Sequence, residues 1–347
     1  MEGKILLDDL KFIHEKDPQD ALGVVEKQWQ QLEHQFDVVF APSNEIRNVV
    51  LAGMGGSALP GAFFSSWPGM NVPFEIVRNY ELPKYVDKNT LVIASSYSGN
   101  TEESLSALAE AETKGAQIVV IAAGGQLLDH AHQKNYPLFQ IPGGVQPRMT
   151  SFYFLVALIQ LFESLKLIAA GCLSDLKTTS PWLKEEIQAW TAEVPASKNP
   201  AKQLAQELMG KTVIIYSGPK LFPAANKFKI CINENAKNLA WANQYPEFSH
   251  NEFIGWSSHP IQKPYAVVEI RSNLEHPRVQ KRFELSERLL SGKRPASNVI
   301  VPKGETLIQQ LLWTAVHDDF VSIYLALLNG VNPTPVELVE KLKKELG

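Results

Sequence analysis

Two short stretches combine glycine with hydroxyl side chains at a spacing suited to an anion: Gly53-Met54-Gly55-Gly56-Ser57 and Ser95-Ser96-Tyr97-Ser98-Gly99-Asn100-Thr101. The first follows the apolar run Asn48 to Ala52 and precedes a helix-like stretch, so it reads as the turn between a parallel strand and a helix. At such a turn, free backbone N–H groups and the helix dipole face any bound anion, and glycine lets the backbone come close. Gly53, Gly55 and Ala58 also satisfy G-x-G-x-x-A, with Glu75 roughly 20 residues on, so a dinucleotide turn competes with a phosphate turn. A plain turn with Ser57 as helix N-cap competes with both.

A nicotinamide fold does not need the second stretch. Two neighbouring strand ends presenting Gly55, Gly56, Ser57, Ser96, Ser98 and Thr101 could ring one phosphate with hydroxyl and backbone donors, without lysine or magnesium. The competing reading is a Ser/Thr-rich turn in which Thr101 caps the helix begun by Glu102 and Glu103. No complete Walker G-x-x-x-x-G-K-[ST] motif is present.

The elements that must carry these loops follow from the hydrophobic pattern. Short apolar runs at Asn48–Ala52, Phe74–Val77, Thr90–Ser95, Ile118–Ala122 and Leu138–Ile141 alternate with helical patterns, which predicts a parallel sheet. Leu22, Val25, Trp29, Leu32 and Phe36 predict one amphipathic helix before the first strand, and Ser151–Ala170 a long apolar helix after the last. Two prolines in Pro195–Pro200 mark a boundary, after which Val213–Tyr216, Ala266–Ile270 and Asn298–Val301 restart the pattern. Helices are predicted over Thr306–Leu328 and Pro335–Leu346.

The expected architecture is α/β: two doubly wound parallel-sheet domains of flavodoxin-like type with C-terminal helices. Residues 1–194 form the first, with a leading helix and linking helices, and residues 195–347 the second. A chain of 347 residues is long enough for two cores. A net charge of −4 gives no global attraction for nucleic acid or anionic membrane, so an anionic ligand must be held by local geometry. The two cysteines, Cys172 and Cys231, match no disulfide or zinc spacing. The acidic N-terminus lacks a signal-peptide core, and no run approaches about 18 apolar residues, so a cytoplasmic location without a membrane span is expected.

Together, GMGGS and SYSGNTEE resemble the sugar-isomerase (SIS) domain. Pro147-Arg148, Asn233-Glu234-Asn235-Ala236-Lys237, Pro246-Glu247-Phe248-Ser249-His250-Asn251-Glu252 and the closing run from Gly330 through Lys343 are similar to segments of the bifunctional phosphoglucose/phosphomannose isomerase family. The order and spacing of these segments extend the resemblance from about Asn48 to the end. The chain departs from the family pattern after Arg148, where Met-Thr-Ser-Phe replaces small apolar residues.

An aldose–ketose isomerase removes a proton from the carbon beside a carbonyl and returns it to the neighbouring carbon, which one positioned carboxylate can do. The resemblance assigns Glu234 as that base and His250 as the proton donor that opens the sugar ring, with His250 contributed across a homodimer interface. Arg148 could neutralise the charge developing on an enediolate oxygen. By resemblance Lys343 assists ring opening or orients hydroxyls, although Lys341 and Lys344 stand in nearly the same register.

The expected activity is interconversion of glucose 6-phosphate, and mannose 6-phosphate, with fructose 6-phosphate, with no cofactor and no metal. The alternative is a non-catalytic SIS sensor of sugar phosphates, which would not need a Glu and His pair. A metal site built from Glu234, His250 and Glu252 has only His-x-Glu to support it. The remaining histidines, His14, His34, His130, His132, His259, His276 and His317, read as structural or surface groups.

Overall fold

The computed structural model describes residues 6–258 and 264–346; His259 lies outside the described residues. The chain forms two compact units, one of Gln28–Pro181 and one of Met1–Lys27 with Trp182–Gly347. Helices α1 (Leu10–Lys16) and α2 (Ala21–Glu26) belong to the discontinuous unit.

In the Gln28–Pro181 unit, strands β1 (Asn48–Gly53), β2 (Phe74–Val77), β3 (Thr90–Ser96), β4 (Gln117–Ala122) and β5 (Leu138–Gln140) form a parallel sheet of order β2-β1-β3-β4-β5. Helices α3 (Gly55–Ser66), α4 (Glu102–Thr113) and α5 (Gly125–Lys134) connect the strands, and α6 (Ser151–Ser164) follows the sheet. Every residue of β3 is buried, because helices cover both faces of a doubly wound sheet and leave its centre no wet side. The strand order reverses between β1 and β3, where Ala52 stands opposite Ala94 and Gly53 opposite Ser95. The two candidate loops therefore leave the sheet side by side at its switch point, where ligands of such folds bind. Phe64 of α3 and Phe162 of α6 meet edge to face at 4.8 Å, each fully buried. Burial of two such rings stabilises by about 2–3 kcal/mol each, and it ties the helix that follows the Gly53–Ser57 turn to α6.

Helix α7 (Cys172–Ile187) leads into the second unit. There β6 (Thr212–Ser217), β7 (Ala240–Gln244), β8 (Tyr265–Ile270) and β9 (Ser297–Ile300) form a parallel sheet of order β7-β6-β8-β9. Its helices are α8 (Pro200–Leu208), α9 (Phe222–Ala236), α10 (Pro277–Leu289), α11 (Leu307–Leu328) and α12 (Glu337–Leu346). A capping box at Thr306 and Gln309 starts α11, which is buried on all sides from Gln310 to Leu327. This helix is long and apolar enough to cross a membrane, but it is the core helix of its unit.

The units are cut differently from the 1–194 and 195–347 division. Trp190 packs edge-on against Trp313 and His317, and its carbonyl accepts the Tyr324 hydroxyl at 2.6 Å. Asp8 accepts the Ala196 N–H at 2.7 Å and pairs with buried Lys202 at 3.4 Å. Both flanks of the first sheet thus belong to the core built around α11. The predicted helix over Leu22–Phe36 is likewise two elements, α2 and a 3-10 turn at Gln28–Glu33, broken at Lys27. The reason is that its apolar stripe serves two cores: Leu22 and Val25 are buried with the second unit, whereas Phe36 meets Phe139 of the first sheet. The apolar helix after the first sheet stops at Ser164, with Lys166 in a left-handed conformation (φ 57°). Strand β7, AWANQ, has no counterpart in the sequence expectation, since it is a half-exposed edge strand with little apolar signal.

Candidate active site

Ser57 is the third residue of α3 rather than its N-cap; the cap position is Met54, which provides no side-chain bond. The Ser57 hydroxyl instead accepts the Tyr97 N–H at 2.8 Å, and its carbonyl accepts the Ser95 hydroxyl at 3.0 Å. A hydroxyl that accepts still has its own proton to give. Gly55 takes a positive φ of 47° and is exposed at the start of α3.

The second loop shows the same economy of donors. Thr101 occupies the N-cap of α4 but makes no capping bond. Its Oγ1 lies 2.7 Å from Ser96 Oγ, which also accepts the Gly99 N–H at 3.1 Å. One of the two protons serves the pair and the other remains to donate. Ser98 Oγ accepts the Asn100 N–H at 3.3 Å and is exposed. The loop is held by the start of α5: Leu127 N–H donates to the Gly99 carbonyl at 2.9 Å and Gln126 N–H to Asn100 Oδ1 at 3.0 Å. Gly99 (φ 69°) must be glycine, because a Cβ would collide with the Gly124 carbonyl.

Arg148 joins this group through the backbone. A Cβ on Gly56 would stand 2.9 Å from the Pro147 carbonyl carbon and 3.0 Å from Arg148 N, so the turn carrying the arginine packs directly on the first turn of α3. Arg148 is 1% exposed, and its Nη1 donates to Gln146 Oε1 at 3.3 Å. The polar residues that follow it close the turn. Thr150 Oγ1 donates to the Pro147 carbonyl (2.8 Å), Ser151 Oγ to the Arg148 carbonyl (3.2 Å), and Gln31 Nε2 to the Met149 carbonyl (2.7 Å).

Glu234 lies half-buried in the last turn of α9, and its neighbours fix that helix end. Asn233 Oδ1 accepts the Ala240 N–H at 3.0 Å, and Asn235 Nδ2 donates to Ser322 Oγ of α11 at 2.8 Å. Lys237, the left-handed C-cap, donates to the carbonyls of Asn332 (2.6 Å) and Pro333 (3.2 Å). These three residues have structural work, and it orients the turn from which Glu234 projects.

His250 is exposed at the end of a 3-10 turn, Glu247–His250, anchored by buried Phe248 against Tyr216 and Tyr245. Glu252 receives the Tyr216 hydroxyl on Oε1 and Asn243 Nδ2 on Oε2, each at 2.6 Å. Burial, reinforced by the Glu252 carboxylate, pushes the Tyr216 pKa up and keeps the phenol a donor. Glu252 is therefore a strut under the His250 turn. Lys343 pairs with Glu340 at 2.9 Å on the exposed face of α12.

The sequence model of the SIS domain matches residues 44–133, and that of the bacterial phospho-glucose isomerase C-terminal SIS domain matches residues 197–346. A bifunctional phosphoglucose/phosphomannose isomerase of Caldicellulosiruptor bescii is 36% identical over 310 residues, covering 88% of this chain and 91% of that protein. One of Aquifex aeolicus is 31% identical over 303 residues, covering 86% and 90%. The chain belongs to the bifunctional phosphoglucose/phosphomannose isomerase family.

It is an enzyme of the aldose–ketose isomerase class. The fold agrees with a hypothetical protein of Thermus thermophilus at a TM-score of 0.70 and 17% identity, over 99% of this chain and 93% of that one. The sequence reading missed the supporting residues of the enzyme. Tyr97 links both loops, its N–H on Ser57 and its hydroxyl accepting the Val145 N–H at 3.3 Å ahead of Arg148. Its place between two serines in SYSG was the available signal.

Proposed function

We propose that the enzyme interconverts glucose 6-phosphate, and mannose 6-phosphate, with fructose 6-phosphate through an enediol(ate). The observation that carries this reading is the set of hydroxyls at the switch point, where Ser57 and one of the paired Ser96 and Thr101 hydroxyls keep protons to donate, with exposed Ser98 beside them and two helix starts that lack side-chain caps. Phosphate oxygens take such donors as charge-assisted hydrogen bonds. Gly55 and Gly56 let the backbone N–H groups join them.

In the chemical step Glu234 takes the C2 proton of the open-chain aldose as electrons move to the carbonyl oxygen, the proton of the C2 hydroxyl passes to that oxygen, and the same carboxyl returns its proton to C1 as the C2 carbonyl forms. Arg148 steadies the oxygen that gains charge. His250 donates the proton that opens the ring and Lys343 orients the sugar hydroxyls. A homodimer in which His250 comes from the partner subunit, a cytoplasmic location and independence from metal and cofactor complete the proposal.

The test is a coupled assay in EDTA with each aldose phosphate in turn. Turnover of glucose 6-phosphate supports the reading, and turnover of mannose 6-phosphate extends it to both epimers. Binding of either sugar phosphate without turnover of any would instead make the chain a sensor.

A further inference from the structure

The two sheets repeat one arrangement, in which the first strand leads through a turn into a helix where the strand order reverses. In the Gln28–Pro181 unit that turn is Gly53–Ser57. In the other it is Ser217-Gly218-Pro219-Lys220-Leu221, between β6 and α9. This second turn already holds an anion. Glu275, on the loop after β8, is 4% exposed, and its Oε1 accepts the Lys220 N–H at 2.8 Å. Burial raises its pKa, against the Lys220 and Leu221 N–H groups, which lower it.

Gly218 makes the approach possible, since a Cβ there would run into the Glu275 carboxyl group. The loop carrying Glu275 is fixed on several sides. Lys220 Nζ donates to the Leu274 carbonyl at 2.6 Å, and Gln280 Nε2 donates to the carbonyls of Asn273 (3.0 Å) and Glu275 (2.8 Å). Ser272 Oγ accepts the Leu274 N–H at 3.0 Å and donates to Gln310 Oε1 at 2.5 Å. Directly before Gly218, the fully buried Ser217 Oγ has no hydrogen-bond partner among the described residues. A carboxylate and a phosphate make the same demand on such a turn, and a tethered carboxylate meets it at high effective concentration.

We infer that the turn Ser217–Leu221 is an anion cradle held shut by the chain's own Glu275, so that each chain takes one sugar phosphate and not two. Vacating it opens a second site for a small anion. The count of one sugar phosphate rests on the proposed role of the Gly53–Ser57 and Ser95–Thr101 loops; the occupied cradle does not.

The test uses the full chain, the variants Glu275→Ala and Glu275→Gln, and formate and inorganic phosphate as probes. Glu275→Ala is expected to melt about 3 °C lower and to recover most of that loss in formate, while the unsubstituted chain does not respond. Calorimetric titration with inorganic phosphate is expected to find one more site per chain in Glu275→Ala than in the unsubstituted chain. An equal response to formate in both proteins, or equal site numbers, overturns the inference. An unsubstituted chain that takes no phosphate, beside an Ala variant that takes one, supports the cradle and removes the phosphate role of the first loops. Should Glu275→Ala not fold, the Lys220 amide proton decides in Glu275→Gln. A clear upfield shift on losing the charged acceptor supports the cradle, and an unchanged resonance overturns it.

Discussion

Thr101 Oγ1 and Ser96 Oγ lie 2.7 Å apart although Thr101 stands where a helix N-cap would use its hydroxyl on its own backbone. The hydroxyl is turned from capping toward the loop. A cap is worth about 1 kcal/mol, whereas a hydrogen bond to a charged group contributes about 1.5–3 kcal/mol, so the arrangement favours ligand over helix. Thr101→Val keeps the shape and removes the donor. Its KM for fructose 6-phosphate is expected to rise about tenfold with little change in kcat, as for lost uniform binding. An unchanged KM in steady-state kinetics would remove Thr101 from the phosphate site.

Gly56 controls the position of Arg148 without touching substrate through a side chain. Gly56→Ala places a methyl 2.9 Å from the Pro147 carbonyl carbon and pushes the arginine turn away from α3. Misplacement on the scale of 1 Å costs about 100-fold in rate, so kcat/KM is expected to fall by roughly that factor. Thermal melting should move far less in proportion. A variant with full activity would show that the turn yields without consequence.

Glu234→Gln preserves size and hydrogen-bonding shape but removes the proposed base. Exchange of the C2 proton with deuterated solvent is expected to stop, while sugar-phosphate binding measured by calorimetry persists. Exchange at the ordinary rate would exclude Glu234 from proton transfer.

Asp318 gives a pH dependence of stability that is separate from catalysis. It is fully buried on α11, with Oδ1 3.0 Å from His317 Nδ1 and Oδ2 without a hydrogen-bond partner among the described residues. Burial pushes its pKa from 3.8 up to about 6, with His317 and Lys227 pulling it down and Asp319 raising it. Between those values the folded chain holds a proton that the unfolded chain has released, so this group's contribution falls as pH rises through the window. Above about 6 the loss is complete, on the order of 3 kcal/mol. Asp318→Asn carries no charge at any pH. The difference in urea unfolding free energy between variant and parent should therefore move in the variant's favour as pH rises from below the window to above it. A difference independent of pH would contradict this.

The parallel strands were legible because strands buried on both faces read as unbroken apolar runs, and β1, β3 and β4 stand where those runs do. The edge strand β7, AWANQ, was not, since after Ala240 its residues are exposed or half-exposed and Asn243 and Gln244 leave no apolar run. Around the candidate site, the glycines and hydroxyls of both loops were visible as composition, and the structure brings them together with Arg148 in one unit. Glu234 and His250 could be singled out only by resemblance, because a carboxylate near a helix end and a histidine in a turn carry no periodic signal. The struts beneath them, Lys237 and Glu252, depend on partners 95 and 36 residues away in the chain, a separation that local pattern does not encode.

The division of the chain also bears on its synthesis. Gln28–Pro181 is contiguous, so that unit has all its residues once Pro181 has left the ribosome. The other unit begins at the N-terminus yet cannot close until α11, the helix Leu307–Leu328, has been made. Through that interval α2 waits with the apolar side chains of Leu22 and Val25 unburied. Incompletely assembled units of this kind expose apolar surface, so a chaperone bound around α2 would cover it over the interval in which α11 is still being made.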